Sequence, residues 1–200
     1  MRRMILAGGG SPEQAAQVDS QWLKMLEVDH GSPVLYIPWA QAEHKQIAAE
    51  EWFRDTYAKS LGGRAIHVAQ IGARLEGLEA YASVYVGGGN TQRLMDRIDA
   101  VDGRADLKSY IENDGIFYGG SAGAIILGKT LLTAPEVKPS SQNTDGLDLL
   151  DGYSVVCHYS HDDGLDAHSH RPLFAIPEDG GVVYDGTDIR LIGDIERFDA

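Results

Sequence analysis

Four short apolar segments, each followed by glycine or proline and then by a helical pattern, constrain the fold of this chain most strongly. They are Met4–Ala7, Val34–Ile37, Ala82–Val86 and Ile116–Tyr118. Uniformly apolar strands are buried on both faces, and their alternation with helices is typical of βαβ units. We therefore predict an α/β fold of three layers, in which helices cover both faces of a mostly parallel sheet.

The remaining elements follow from local signals. Ser11 before Pro12 indicates a helix start, and this helix should run to about Val28. Further helical patterns cover residues 42–60, 92–96 and 105–113, and a weaker strand is predicted at 65–68. Four late apolar segments, at 153–158, 173–176, 181–184 and 189–192, should finish the sheet with an antiparallel hairpin. Between the two groups lies a long polar connection, residues 129–151, of the kind that is often functional.

Composition limits the partners and the compartment. The length of 200 residues fits one domain, and no linker divides residues 1–200. A formal net charge of −13 argues against nucleic acid and anionic membrane surfaces as partners. No apolar run approaches the ~20 residues of a membrane span, and Met1-Arg2-Arg3 leads directly into a strand instead of a secretion signal. The single cysteine, Cys157, excludes an internal disulfide, and we predict a cytoplasmic protein. Cys157 is expected in the core, with the contact of a homodimer as the alternative.

The segment Gly119-Gly120-Ser121-Ala122-Gly123 stands between an apolar strand and an apolar helix. This Gly-x-Ser-x-Gly spacing fits a nucleophile elbow, in which a sharp turn pushes a serine hydroxyl clear of the sheet. The same residues could form an ordinary tight βα turn, so the pattern alone leaves both interpretations open. Ser121 is therefore a candidate nucleophile that requires a base and an acid elsewhere in the chain.

His158 is the best-placed base, because it ends an apolar strand and begins a polar loop. Strand ends open onto the crevice where sites form in α/β sheets. Two carboxylates compete as the acid that would orient the imidazole. Glu178 follows the strand at 173–176, whereas Glu136 lies in the long connection after the elbow.

A second glycine turn, Gly87-Gly88-Gly89, follows another strand. Amides of Gly88 and Ala122 could together form a two-point oxyanion hole. Asn90, which follows the same turn, is a candidate substrate-binding residue. A third glycine turn, Gly8–Gly10, is not a dinucleotide fingerprint, because Glu13 stands where G-x-G-x-x-G needs glycine.

Histidines and aspartates are concentrated after His158. The group comprises His161, His168, His170, Asp162, Asp163 and Asp166. Its irregular spacing on a loop argues against a metal site and favours a solvated polar lid. No metal or organic cofactor is expected.

The chain resembles the dipeptidase E and cyanophycinase family of serine peptidases. The resemblance is carried by Val86-Gly87-Gly88-Gly89-Asn90-Thr91, by Gly119-Gly120-Ser121-Ala122-Gly123-Ala124, and by the His158 strand followed by Ile176-Pro177-Glu178. It implies a fold similar to flavodoxin-like class I glutamine amidotransferases, and a triad in the order Ser121, His158, Glu178. Serine-type hydrolysis of small peptides through an acyl-enzyme would follow.

Two departures from dipeptidase E leave alternatives open. An aspartate treated as catalytic in dipeptidase E corresponds here to Glu136, but Glu178 is preferred because a strand end holds geometry better than a long loop. The segment that helps dipeptidase E recognise an N-terminal aspartate is shorter here, with Arg171 as its only cation. Arg171 is a candidate for binding an acidic substrate group. The alternative functions are a cyanophycinase-like hydrolysis of β-Asp-Arg linkages and an inactive binding protein on the same scaffold.

Overall fold

The computed structural model describes residues 2–29, 31–161 and 170–200. The strands are β1 (Arg3–Ala7), β2 (Val34–Ile37), β3 (Ile66–Val68), β4 (Ser83–Val86), β5 (Ile116–Gly120), β6 (Ser154–Cys157), β7 (Leu173–Ile176), β8 (Gly181–Asp185), β9 (Ile189–Ile192) and β10 (Glu196–Phe198). The α-helices are α1 (Pro12–Leu26), α2 (Gln46–Tyr57), α3 (Thr91–Asp99), α4 (Gly103–Glu112) and α5 (Ala122–Ile125).

The main sheet has seven strands in the order β3-β2-β4-β5-β1-β8-β9. The first five are parallel, while β8 and β9 are antiparallel to their neighbours. The register aligns Gly120 with Ala7, and Gly119 with Val86. The turns after β1, β4 and β5 therefore start at the same level, at the edge where α/β sheets bind ligands.

Side chains of the central strands alternate between two cores, one on each face of the main sheet. Met4 and Leu6 belong to one core, whereas Ile5 belongs to the other. The core around Ile5 also contains Trp22 of α1 and Phe53 of α2. The other core receives apolar side chains of α3, α4 and α5. The predicted three-layer α/β fold is confirmed, and the period of two explains why each strand reads as uniformly apolar.

Local helix signals were accurate at α1 and less so at α2. Ser11 caps α1 as predicted: its Oγ accepts from the Gln14 amide, and the Gln14 side chain accepts from the Ser11 amide. The second helical pattern divides into a 3-10 turn at Glu43–Lys45 and the shorter helix α2.

The C-terminal strands differ from the sequence prediction. β8 and β9 form the expected hairpin at the edge of the main sheet, but β6 and β7 leave it. These two strands pair in parallel with each other and form a second, three-stranded sheet with β10. Hydrophobicity alone could not separate the two sheets, because Val155 of β6 and Phe174 of β7 are as deeply buried as residues of the main sheet.

The connection at residues 129–151 is more apolar in structure than its sequence suggested. Leu131, Val137, Leu147 and Leu149 are buried in the core on the α3 side. The polar residues of this segment therefore lie between buried apolar residues, and the segment packs as part of the domain.

Asp19 of α1 is buried beneath the sheet and accepts two tyrosine hydroxyl hydrogen bonds. Tyr118 Oη lies 2.5 Å from Asp19 Oδ1, and Tyr57 Oη lies 2.9 Å from Oδ2. Burial raises the pKa of Asp19, and the two tyrosine donors oppose that shift. The carboxylate thus ties α1 to β5 and α2 below the edge where β5 ends.

We expect Asp19→Ala to lower the free energy of unfolding by about 2 kcal/mol, because two buried hydroxyls lose their acceptor. Relief of the desolvation cost of the carboxylate offsets part of that loss. Asp19→Asn keeps one acceptor oxygen and should lose less. Urea unfolding of the three proteins measures the effect, and an alanine variant as stable as wild type would contradict it.

Candidate active site

Ser121 occupies the sharp turn between β5 and α5. Its backbone has φ 49° and ψ −107°, a conformation that non-glycine residues rarely adopt and that costs about 1–3 kcal/mol. A Cβ on Gly119 would lie 2.3 Å from the Gly123 carbonyl oxygen, and a Cβ on Gly123 would lie 2.3 Å from that of Val86. Both flanking glycines are therefore required for the turn to pass close to the strands. The strained serine has the geometry of a nucleophile elbow.

His158 and Glu178 approach Ser121 from the smaller sheet. Ser121 Oγ lies 2.8 Å from His158 Nε2, and His158 Nδ1 lies 3.3 Å from Glu178 Oε1. His158 directly follows β6 and Glu178 lies two residues after β7, and the parallel pairing of these strands brings both residues to one end of the sheet. Both side chains are about half exposed, at 49% and 51%.

Glu136 lies elsewhere and contacts a helix start. Its Oε1 accepts from the Thr91 amide at 2.6 Å, at the first residue of α3. The Asn90 side chain caps the same helix by accepting from the Arg93 amide at 2.7 Å. Of the two candidate acids, the structure brings Glu178 to His158.

Gly88 and Ala122 lie next to Ser121, whereas Arg171 lies away from it. A Cβ on Gly88 would lie 3.2 Å from Ser121 Cβ, so this glycine is adjacent to it. Ala122 is the first residue of α5, where an amide has no acceptor within the helix. Arg171 lies at the opposite end of β7 from Glu178, with its guanidinium 5.0 Å from the centre of the Phe198 ring. Arg171 is therefore not brought to the site.

The backbone of residues 7–10 contacts Ser121, His158 and Glu178, a role that the sequence prediction missed. The Ser121 amide donates to Ala7 O at 3.0 Å, and the His158 amide donates to Gly8 O at 3.1 Å. The Gly10 amide in turn donates to Glu178 O at 3.1 Å. One backbone segment thus contacts all three residues. The triple glycine at residues 8–10 was the available signal.

Gly9 has no room for a side chain. Its φ is +101°, and a Cβ there would lie 2.6 Å from His158 Cε1 and 2.8 Å from Ser121 Cβ. We expect Gly9→Ala to lower kcat/KM by about 100-fold, since small displacements of reacting groups can cost that much. Gly152→Ala is the matched control, because Gly152 has φ +88° and empty space around its Cβ position. Equal activity losses in the two variants would contradict a specific clash at the site.

A cavity of about 590 Å³ opens beside Ser121 and His158. Three aromatic side chains line it, Tyr36, Trp52 and Tyr85, and Lys45 contributes a cation. Trp52 is 41% exposed, which is unusual for a large aromatic residue and leaves its ring accessible from the cavity. The cavity size falls in the range of small-molecule sites, roughly 300–1,000 Å³.

The polar segment that follows His158 is described only in part. His161 is held between Asp194 Oδ2 at 2.9 Å and Glu196 Oε1 at 2.5 Å, and the Asp194 contact is the main cause of its raised pKa. His170 is described, but the other members of the polar cluster, His168, Asp162, Asp163 and Asp166, lie outside the described residues. Within the described ranges, no group of three or more potential ligand side chains could hold a metal ion.

Cys157 Sγ lies 3.6 Å from Ser121 O, and burial raises the pKa of its thiol to about 12.

A strained serine in contact with an imidazole, at the end of a parallel strand, is the arrangement of serine hydrolases. The sequence profile of peptidase family S51 matches residues 4–192. The chain therefore belongs to peptidase family S51, which includes dipeptidase E and cyanophycinase, and the resemblance noted in the sequence is confirmed. The protein is a serine peptidase.

Two solved structures share the fold. A peptidase from an acI-B1 Actinobacterium has a TM-score of 0.78 and 20% identity, covering 100% of this chain and 91% of its own. A candidate peptidase E from Listeria monocytogenes EGD-e has a TM-score of 0.70 and 16% identity, covering 99% of both chains. No curated protein shows a significant sequence match. Within the described ranges, none of the helices qualifies as a membrane span.

Proposed function

We propose that this serine peptidase hydrolyses small peptides, with Ser121 as the nucleophile, His158 as the proton shuttle and Glu178 as the orienting acid. The observation that carries the proposal is the 2.8 Å contact between Ser121 Oγ and His158 Nε2. That distance lies within the hydrogen-bond reach that a general base needs.

Acylation begins when Ser121 Oγ attacks the scissile carbonyl carbon and its proton passes to His158 Nε2. Nε2 can accept this proton only in the neutral tautomer that carries its N–H on Nδ1, the atom that faces Glu178 Oε1. Glu178 therefore selects the reactive tautomer and stabilises the imidazolium cation. The pKa of Glu178 is lowered by its hydrogen bonds with Gln14 and His158, which keeps it ionised for this role.

Negative charge then develops on the former carbonyl oxygen. Amides of Gly88 and Ala122 are proposed to donate to it, because both residues adjoin Ser121. As the tetrahedral intermediate collapses, the C–N bond breaks and His158 returns its proton to the leaving amine. Water deprotonated by His158 next attacks the acyl-enzyme, releasing the carboxylic acid product and restoring the Ser121 hydroxyl.

The cavity supports a short substrate. Its volume of about 590 Å³ suits one or two residues of a peptide. Among the described residues that line it, no carboxylate is present to pair with an arginine side chain, so the lining does not favour a β-Asp-Arg substrate.

The alternative of an inactive binding protein is not favoured either, given the contact between Ser121 and His158. The single cysteine is consistent with our proposal that the peptidase acts in the cytoplasm.

A fluorophosphonate probe tests the proposed nucleophile directly. We expect covalent labelling of the wild-type protein at Ser121, located by peptide mass spectrometry. A dipeptide panel, including Asp-X, β-Asp-Arg and aromatic-X members, then tests the substrate class. An unlabelled wild-type protein that also hydrolyses none of the panel would refute the proposed function.

A further inference from the structure

Gln14 connects the first turn of α1 to Glu178. Its Nε2 donates to Glu178 Oε2 at 3.1 Å. The orientation of the carboxamide is fixed independently, because the Ser11 amide donates to Gln14 Oε1 at 2.9 Å. An amide that accepts at one end from a backbone N–H must present its NH₂ group at the other. The donor is therefore directed at the carboxylate.

Glu178 needs such a contact to hold its position. The side chain is 51% exposed and lies on a turn after β7, so packing alone does not fix its rotamer. Its two oxygens have separate partners: Oε1 faces His158 Nδ1, and Oε2 accepts from Gln14. A donor on Oε2 leaves the other oxygen to face the imidazole.

Titratable side chains adjoin both partners of the contact between Gln14 and Glu178. His158 is the titratable group that faces it across from β6, and it contributes to the lowered pKa of the carboxyl after Gln14 does. Glu13, the neighbour of Gln14 on α1, instead accepts from the Ser11 hydroxyl at 2.8 Å. The side-chain amide of Gln14 is thus an uncharged hydrogen-bond donor to Glu178. By contrast, Glu178 carries a charge and His158 is proposed to exchange a proton.

We propose that Gln14 is a positioning residue of the peptidase, which holds the Glu178 carboxylate in place so that Oε1 stays on His158 Nδ1. The inference rests on the proposed roles of Ser121, His158 and Glu178. It assigns a role in the reaction to a helix-capping residue outside the predicted triad.

Gln14→Glu separates this role from helix capping. A glutamate three residues after a serine N-cap still accepts from the Ser11 amide, so α1 and thermal stability should be preserved. The substitution replaces the donor to Glu178 by a second carboxylate oxygen. We expect the second-order rate of fluorophosphonate labelling at Ser121 to fall about tenfold, the effect of losing one hydrogen bond to a charged group. The acid limb of the pH–rate profile should also move to higher pH, because the substitution removes the hydrogen bond from Gln14 that is the main cause of the lowered pKa of Glu178.

Ser11→Ala is the matched control, since it removes the hydroxyl cap of α1 but keeps the backbone amide that orients Gln14. It should lower the midpoint of thermal unfolding and leave the pH–rate profile of labelling unchanged. A Gln14→Glu protein labelled at the wild-type rate across the pH range would overturn the inference, and so would an equal shift of the profile in Ser11→Ala. An unlabelled wild-type protein would instead overturn the proposed function on which the inference rests.

Discussion

Ser121→Ala is expected to lower kcat for peptide hydrolysis by about 10⁵-fold and to abolish fluorophosphonate labelling. The variant removes the attacking oxygen, and we expect no other group among the described residues of the site to replace it. Cys157, whose Sγ lies 3.6 Å from Ser121 O, has a thiol whose pKa is raised to about 12 by burial, so it remains protonated at neutral pH.

The same variant should keep its fold. The hydroxyl of Ser121 contacts His158, the residue lines the cavity, and alanine retains the backbone strain of the turn. We expect the free energy of unfolding to change by less than about 0.5 kcal/mol. Ser109→Ala, at an exposed position on α4, is the control for a serine outside the site and should keep full activity. Persistent labelling of Ser121→Ala would mean that the probe reacts at another residue, contrary to the proposal.

Glu178→Gln is expected to lower kcat by about 10³-fold, less than the ~10⁴ lost when a buried triad acid is amidated. An amide whose oxygen accepts from Gln14 Nε2 presents its NH₂ group to His158 Nδ1, which favours the wrong tautomer, and a neutral amide does not stabilise the imidazolium cation as a carboxylate does. The effect should be smaller here because the side chain is 51% exposed, and water can partly replace it. Steady-state hydrolysis of the best peptide from the dipeptide panel measures the loss.

Glu136→Gln is the matched comparison for that experiment. The glutamine oxygen can still accept from the Thr91 amide at the start of α3, so the structure should be retained and activity should stay near wild type. Any stability loss should be about 1 kcal/mol or less, the usual contribution of a helix cap. If Glu136→Gln were inactive and Glu178→Gln active, the assignment of the acid would be reversed.

Features that depend on adjacent residues could be predicted from the sequence. The apolar strands, the Ser11 cap and the glycine-flanked turn at Ser121 each follow from a short segment with its own steric and hydrogen-bonding requirements. The order of Ser121, His158 and Glu178 came from a resemblance carried by three such segments. The family membership of the chain confirms that resemblance.

Features that depend on pairing between distant segments required the tertiary structure. The sequence could not separate Glu178 from Glu136 by residue type, and the parallel register of β6 and β7 is what brings Glu178 to His158. Arg171 precedes the same strand, so it lies at the end away from the site.

The contacts of Gly8–Gly10 and Gln14 with the site also could not be predicted from the sequence. By sequence alone, the glycines are a tight turn and Gln14 is a helix-capping residue. Their contacts with His158 and Glu178 span well over a hundred residues, and they exist only because β1 lies beside β5 and its following turn packs on the residues after β6 and β7. The sequence by itself determined most of the elements and the glycine-flanked turn that presents Ser121 as a candidate nucleophile, because those rest on local sterics. Tertiary packing alone decided which side chains meet that serine, because only sheet register and close backbone approach bring distant segments together.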